Sequence, residues 1–169
     1  MKKTIAIAGA TGFIGQWFIE KYKHEYNIIA LSRNKIKYPD STDVNWKQVD
    51  LYSISSTTKA LEGADTAIYL VHSMMPSTWL NQGDFEDTDI LLADNFSRAA
   101  QACNLKQIIY VGGILPKDDH TISKHLKSRY EVEKTLGSRN TPLTSIRAGI
   151  IIGPNGSSFR IVQQLVKNL

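Results

Sequence analysis

Short apolar, β-branched runs alternate with longer amphipathic stretches along the whole chain. The apolar runs predict strands at 4–8, 27–32, 46–50, 66–71, 107–112 and 144–152. The amphipathic stretches predict helices at 13–24, 54–62, 84–103 and 123–137. Buried-type strands that alternate with helices are typical of a parallel sheet covered by helices on both faces. The pattern therefore predicts an α/β fold, a doubly wound parallel sheet with three α/β/α layers.

The first predicted strand runs directly into a glycine-rich turn, GATGFIG, which opens the first predicted helix. Gly9 permits the tight turn, Gly12 lets backbone N–H groups approach a pyrophosphate, and Gly15 lets helix and strand pack closely. The helix dipole would then hold the pyrophosphate. This arrangement predicts a Rossmann dinucleotide-binding domain, with a glycine-rich turn that binds no ligand as the alternative. The predicted cofactor contacts in this turn are Gly9, Thr11, Gly12, Phe13, Ile14 and Gly15.

The G-x-x-G-x-x-G spacing, with a threonine inside it, resembles the extended and atypical short-chain dehydrogenase/reductase families. The stretches HLKSRYEVE, IRAGIIIG and GSSF resemble the NAD(P)-binding domain of NmrA-like proteins and of bacterial nucleoside-diphosphate-sugar-epimerase-type proteins. The similarity covers essentially the whole chain. In VDL (49–51), YLVHS (69–73) and YVGGI (110–114) it implies adenine contacts after the third strand and contacts on the nicotinamide side. The residues so implied are Asp50, Leu51, Leu70, Val71, His72, Gly112 and Gly113.

The end of the second predicted strand bears on the choice of cofactor. NAD-specific members carry a carboxylate there, which accepts a hydrogen bond from the ribose 2′-hydroxyl. This chain has Ser32 and Arg33 instead, and an arginine can neutralise a 2′-phosphate. We therefore expect NADP(H) to be preferred and NAD(H) to bind less well, with a simple polar turn as the alternative.

Two overlapping motifs in HLKSRYEVEK compete for the catalytic position. Tyr130 and Lys134 have the Tyr-x-x-x-Lys spacing of short-chain dehydrogenases. The family pattern Tyr-x-x-Ser-Lys-x-x-x-Glu can instead be laid over HLKSRYEVE, with His125 in the tyrosine position and Arg129 in the lysine position. The pairs are five residues apart, a net helical rotation of about 140°, so both cannot face the nicotinamide. We favour the His125 and Arg129 register, in which Arg129 faces the cofactor ribose.

The family's carbonyl-binding serine or threonine is missing after the fifth strand, where Gly112 and Gly113 stand and Ser123 is the next hydroxyl. The resemblance nevertheless implies an oxidoreductase or epimerase-like enzyme with an unknown small-molecule substrate. The alternative is a non-catalytic NADP(H)-binding sensor or regulatory protein. We expect residues 1–169 to be the N-terminal NAD(P)-binding domain of a longer protein. The amphipathic end of the chain, which includes Leu165 and Val166, would pack on the core or drive self-association into a homo-oligomer.

The composition of the chain indicates which other classes of partner and ligand are not expected. The net charge is +4 and the basic residues are scattered, so we expect no nucleic-acid partner. The amino-terminal apolar stretch is short and broken by glycines, unlike a signal peptide, and no run is long enough to span a bilayer, so we expect no membrane partner. A single cysteine, Cys103, excludes an internal disulfide and favours a reducing, cytoplasmic location. No cysteine or acidic cluster accompanies the histidines, so we expect no metal site.

Overall fold

The structure is a computed structural model that describes residues 2–34, 43–72, 85–116, 122–153, 156 and 163–167. The strands are β1 (Thr4–Ala8), β2 (Asn27–Ser32), β3 (Val44–Gln48), β4 (Thr66–Tyr69), β5 (Gln107–Gly113) and β6 (Leu143–Ala148). The helices are α1 (Phe13–Tyr22), α2 (Ile54–Leu61), α3 (Phe85–Ala102) and α4 (Lys124–Leu136). A short helical stretch also covers 163–167.

The six strands form one parallel sheet in the order β3-β2-β1-β4-β5-β6. The chain first winds outward from β1 to β3, then crosses back and winds in the other direction from β4 to β6. The direction reverses between β1 and β4, which is where parallel α/β sheets bind ligands beyond the carboxyl ends of their strands. The prediction of a doubly wound Rossmann sheet is confirmed.

Two apolar clusters lie on opposite faces of the sheet. The larger packs β-strand side chains against α2, α3 and α4, and its centre is the edge-on contact between Tyr69 and Phe96, with ring centroids 4.9 Å apart. The smaller packs the other face against α1, through Ile7, Ile19 and Ile28. The strands β1, β2 and β4 are therefore buried on both faces, as the sequence pattern predicted, whereas the edge strands β3 and β6 carry exposed polar residues.

The predicted ends of three strands were wrong. The prediction extended β4 to 71 and β6 to 152, but the ladders end with the pairs Ala8–Tyr69 and Gly113–Ala148. A strand cannot continue past its last hydrogen-bonded neighbour, so the isoleucines after Ala148 leave the sheet. The third strand was predicted at 46–50 and instead starts at Val44, which pairs with Ile28.

Two helix starts are explained by side-chain caps. Ser53 accepts a hydrogen bond from the backbone N–H of Ser56 at 3.2 Å, and Ser123 accepts one from that of Leu126 at 3.3 Å. These bonds satisfy N–H groups that have no partner within the helix. Gly137 follows the last turn of α4.

The apolar residues near the end of the chain differ in their surroundings from those of the core. Leu165 and Val166 are 63% and 67% exposed, so they do not pack on the core. No helix in the described part of the chain is both long and apolar enough to cross a membrane.

Candidate functional site

A cleft of about 480 Å³ lies at the carboxyl ends of β1, β4, β5 and β6. The glycine turn and the start of α1 form one wall, and α4 forms part of the opposite wall. The predicted cofactor residues in its lining are Gly9, Gly12, Phe13, Ile14, Gly15, Leu70, His72, Gly112, Gly113 and Arg129. The predicted cofactor residues outside its lining are Thr11, Ser32, Arg33, Asp50, Leu51 and Val71.

The glycine turn is shaped by close backbone approaches that leave no room for side chains. Gly9 has φ +87°, a left-handed conformation that favours glycine, and a Cβ atom there would lie 3.1 Å from Leu70. A Cβ atom on Gly15 would lie 2.6 Å from the carbonyl oxygen of Gly9 and 2.7 Å from the Cα atom of Ala10. These two glycines therefore let the turn pack closely against Leu70 and against the start of α1.

The amino terminus of α1 has no charge or cap of its own. Gly12 is the N-cap residue, no side chain caps the helix, and its first turn contains no acidic residue. The Gly12 N–H donates to the Gly9 carbonyl oxygen at 3.0 Å, and the N–H groups that follow, with the positive end of the helix dipole, are left for a negatively charged ligand. A dinucleotide pyrophosphate fits this wall, with Phe13 to Gly15 as the backbone groups that would hold it.

Phe13 closes the same end of the cleft, a contact that the sequence did not reveal. Its ring fills the space beside Gly153 and Gly156, which stand about 140 residues later in the chain. A side chain at Gly153 would collide with that ring. No local pattern signals this long-range contact.

The ends of β2 and β3 lie beside the glycine turn, because Ala8 pairs with Leu31 and Ser32 pairs with Gln48. The Ser32 hydroxyl accepts a hydrogen bond from the Asn34 N–H at 3.2 Å, which is the polar turn considered above. The Arg33 side chain is exposed. Its charge is available at the edge where the adenosine ribose of a dinucleotide would lie.

The acidic and apolar residues predicted at this edge have structural roles. Asp50 accepts a hydrogen bond at Oδ1 from the Tyr52 N–H at 3.0 Å. The Leu51 side chain is buried in the larger core cluster, and Val71 packs against that cluster. The amide of the buried Asn95 donates to the carbonyl oxygen of Leu51 at 3.0 Å. The side chains of Leu51 and Val71 therefore pack inward, and any cofactor contact there would come from the backbone.

On α4, the two competing motifs face different surroundings. His125 and Arg129 line the cleft, whereas Tyr130 and Lys134 lie outside its lining. Arg129 donates from Nε to Nε2 of His125 and from Nη1 to the carbonyl oxygen of Val111, both at 3.3 Å. The guanidinium is thus tied to its own helix and to β5. Both residues lie on the cleft side of α4, as the rotation argument requires for one pair.

Tyr130 and Lys134 form a contact of their own on another side of α4. The Lys134 ammonium lies 4.6 Å from the centre of the Tyr130 ring, and it also pairs with Glu131 at 3.0 Å. The hydrogen bond from Lys134 to Glu131 raises the lysine pKa. Tyr130 and Lys134 therefore have the sequence spacing of a dehydrogenase pair, but they do not line the cleft, where that pair would have to reach a substrate.

A second ion pair beside Tyr130 joins α4 to β6. Arg147 donates from Nη2 and Nε to the two carboxylate oxygens of Glu133, at 2.8 and 3.3 Å. These bonds hold the pKa of Glu133 below its ordinary value. In the resemblance, Glu133 matches the glutamate of the family motif, and here it anchors α4 to the edge strand.

The structure also explains the missing hydroxyl after β5. A Cβ atom on Gly113 would lie 2.6 Å from Cδ2 of Leu126 and 3.8 Å from Cδ of Arg129. A serine at Gly113 would therefore require the end of the Leu126 side chain to move, while Arg129 would stay at an ordinary van der Waals distance. Ser123, the next hydroxyl, caps α4. In the described residues, neither position offers the carbonyl-binding hydroxyl of a typical reductase.

His72 lies on the wall opposite α4. Its Nδ1 atom is 3.2 Å from the carbonyl oxygen of Leu70. Loss of water around the ring lowers the pKa of His72, and the positive charge of Arg129 lowers it further. The two side chains are thus close enough to interact across the cleft.

Comparison with known proteins identifies the family of the chain and supports its fold. The model of the NmrA-like family matches residues 1–168. The chain belongs to the NmrA-like family. A curated relative, the auxiliary protein GraX of Staphylococcus aureus, is 29% identical over 150 residues. That match includes 85% of this chain and 43% of GraX, so the chain spans less than half the length of this relative.

Solved structures share the fold at low sequence identity. The Bordetella bronchiseptica enzyme WbmG in complex with NAD has a TM-score of 0.77 at 15% identity, covering 99% of this chain and 61% of that one. A nucleoside-diphosphate-sugar epimerase from Staphylococcus aureus has a TM-score of 0.68 at 22% identity, covering 86% of this chain and 50% of that one. These likenesses show that the fold is shared.

Proposed function

We propose that this chain is the dinucleotide-binding domain of an NmrA-like protein and that it prefers NADP(H). The observation that carries the proposal is the uncapped amino terminus of α1 at the glycine turn, which lines the cleft with Gly9 and with Gly12 to Gly15. That wall suits a pyrophosphate, because it presents N–H groups and a positive dipole end without a competing carboxylate. The WbmG structure, which contains NAD, has the same fold.

The preference for NADP(H) rests on Arg33. Its exposed guanidinium stands at the end of β2, next to the glycine turn, where an NAD-specific protein would carry a carboxylate. A guanidinium can hold a 2′-phosphate through two parallel hydrogen bonds. Asp50, at the end of β3, is the nearest acidic candidate, and its Oδ1 atom already accepts a hydrogen bond from Tyr52. NAD(H) is the weaker ligand in this proposal.

A bound nicotinamide would supply hydride transfer, and the side chains around it determine whether that chemistry has a proton donor. Tyr130 and Lys134 are outside the cleft lining, and Gly113 replaces the hydroxyl that would hold a carbonyl. The geometry therefore favours a regulatory protein that binds NADP(H) without turnover. The curated relative is named an auxiliary protein, which is in keeping with this role.

An oxidoreductase or epimerase-like enzyme is the second candidate, and His125 favours it. The imidazole lines the cleft and is the only ring on α4 that does so in the described residues. A histidine can transfer protons near neutral pH. In this candidate Arg129 holds the histidine in place and His125 takes the role that a tyrosine has in typical reductases.

Binding and turnover can be separated in one experiment on the protein that contains this chain. NADPH and NADH affinities are measured by fluorescence titration, and NADPH oxidation is followed with carbonyl compounds and sugar nucleotides. Saturable binding without turnover supports the regulatory role. Turnover that His125→Ala abolishes and Tyr130→Phe leaves intact supports the enzyme. Turnover that Tyr130→Phe abolishes and His125→Ala leaves intact would show an ordinary tyrosine–lysine reductase and overturn the assignment of the motif.

A further inference from the structure

The cleft lining carries one permanent positive charge, that of Arg129. We call the part of the lining around it the cationic end and define it by Arg129 with His125, one turn earlier on α4, and His72, in the segment after β4. These are the ionisable side chains of the cleft lining, and that lining contains no aspartate or glutamate among the described residues. The nearest acidic influence on His72 is the buried Asp89 of α3, which lies outside the lining.

Arg129 still has hydrogen-bond capacity in this position. A guanidinium carries five N–H groups, and two of them are used, one to His125 and one to Val111. The remaining N–H groups have no partner in the described part of the chain. Because the two existing bonds fix the plane of the guanidinium, a planar anion could bind to it with little further loss of side-chain entropy.

Apolar side chains line the same cleft as the Arg129 guanidinium. Ile114, Ile150 and Ile151 line the cleft and are 61%, 66% and 37% exposed. Their position follows from the end of the β5–β6 ladder at Ala148, after which the chain turns out of the sheet. A lining that combines exposed isoleucines with the guanidinium of Arg129 suits a ligand with an apolar body and one negative group.

We propose that the cationic end binds a small carboxylate ligand beside the dinucleotide, with the carboxylate on Arg129 and an aliphatic body on the isoleucines. The carboxylate matches the planar guanidinium, whose remaining N–H groups would donate to its two oxygens. The inference deepens the proposed function, because it assigns a ligand class to the part of the cleft that the dinucleotide phosphates would not occupy. It also requires no catalytic turnover.

The test compares three probes on the whole chain by isothermal titration, with and without saturating NADPH. The probes are 4-methylpentanoate, its neutral amide and inorganic phosphate. We expect the carboxylate to bind about tenfold tighter than the amide, as for one charge-assisted hydrogen bond. Phosphate lacks the aliphatic body and should bind more weakly than the carboxylate. NADPH should leave the carboxylate affinity intact or increase it.

Matched variants locate the site. Arg129→Gln should remove the difference between carboxylate and amide, and Ile150→Ala, on a separate segment, should weaken the binding of both. Lys127→Gln removes a charge from the exposed side of the same helix and should leave the difference unchanged. Melting temperatures of all variants identify any that fail to fold, and the two sites on different segments then act as independent tests.

Three results would overturn the inference: equal affinities for carboxylate and amide, phosphate binding as tight as the carboxylate, or displacement of the carboxylate by NADPH. The last two would show that the remaining N–H groups of Arg129 serve only a phosphate or the dinucleotide and leave none for a carboxylate. Carboxylate binding to a chain that binds no dinucleotide would refute the proposed function and leave this inference standing. Dinucleotide binding without a carboxylate preference would refute only the inference.

Discussion

The Nε atom of Arg129 donates a hydrogen bond to Nε2 of His125, one turn earlier on α4, at 3.3 Å. An arginine has only donors, so Nε2 must accept, and the proton of the neutral imidazole then lies on Nδ1. The second bond of Arg129, to the Val111 carbonyl oxygen, fixes the side chain over β5. Gly113 lies beneath this side chain, and a Cβ atom there would lie 3.8 Å from Cδ of Arg129, an ordinary van der Waals distance.

Arg33→Gln should weaken NADPH binding about tenfold and leave NADH binding unchanged, because it removes one charge-assisted contact with the 2′-phosphate. Fluorescence titration of both cofactors measures the effect. Arg98→Gln is the control, since Arg98 is an exposed arginine on α3 that pairs with Asp94 at 2.8 Å. Equal affinities of the wild type for NADPH and NADH would refute the role given to Arg33.

Gly15→Ala should lower the free energy of unfolding by about 1–3 kcal/mol, the usual cost of forcing extra atoms into a packed site. The added methyl group would lie 2.6 Å from the Gly9 carbonyl oxygen and 2.7 Å from the Ala10 Cα atom. Both are backbone atoms, so the turn itself must shift. Urea denaturation measures the change, and the displaced turn should bind NADPH more weakly.

Gly149→Ala is the matched control for this substitution. A Cβ atom there would lie 3.5 Å from Cδ1 of Ile114, an ordinary van der Waals distance. Its stability should therefore stay within about 0.5–1 kcal/mol of the wild type, the range in which propensity differences between glycine and alanine fall. A loss of stability at Gly149 as large as that at Gly15 would argue against the close packing of α1 on the turn.

The pair of Glu133 and Arg147 should make stability depend on pH in the acid range. The pKa of Glu133 is lowered from 4.5 in the folded protein, so the unfolded chain binds the proton more readily. The stabilisation is then fully present above pH 4.5 and is lost as the pH falls through the folded-state pKa. The difference in unfolding free energy between wild type and Glu133→Gln should shrink over that range.

A double-mutant cycle assigns the effect to this pair. In an Arg147→Gln background, Glu133→Gln should cause a much smaller pH-dependent difference, because the partner that lowers the pKa is gone. Chemical denaturation at a series of pH values provides the measurement. An unchanged pH dependence in that background would mean that another group lowers the pKa of Glu133.

The sequence predicted the sheet and its helices because strand and helix periodicity are local properties of the chain. It could not predict where β6 ends, since that depends on the partner register of Gly113 and Ala148. The isoleucines that follow were assigned to the strand for their β propensity and instead line the cleft.

The sequence predicted those parts of the candidate site that lie within one motif. It did not predict the parts that form where distant segments of the chain meet. The spacing of the glycines was enough to predict the phosphate-binding turn. The helical rotation between the two motifs on α4 was enough to predict that only one pair would face the cleft. The packing of Phe13 against Gly153 and the exclusion of a side chain at Gly113 by Leu126 depend on tertiary contacts. Such contacts leave no periodic signal in a single sequence.

The central claim is that the dinucleotide binds in this cleft beside Arg129 and away from Lys134. Titration of NADPH into wild type, Arg129→Gln and Lys134→Gln tests it most directly, because the two variants remove charges about 1.4 helical turns apart on α4. We predict saturable binding to the wild type, about tenfold weaker binding to Arg129→Gln, and wild-type affinity for Lys134→Gln. Absence of saturable binding to the wild type, or a loss of affinity in Lys134→Gln with Arg129→Gln unchanged, would contradict the account.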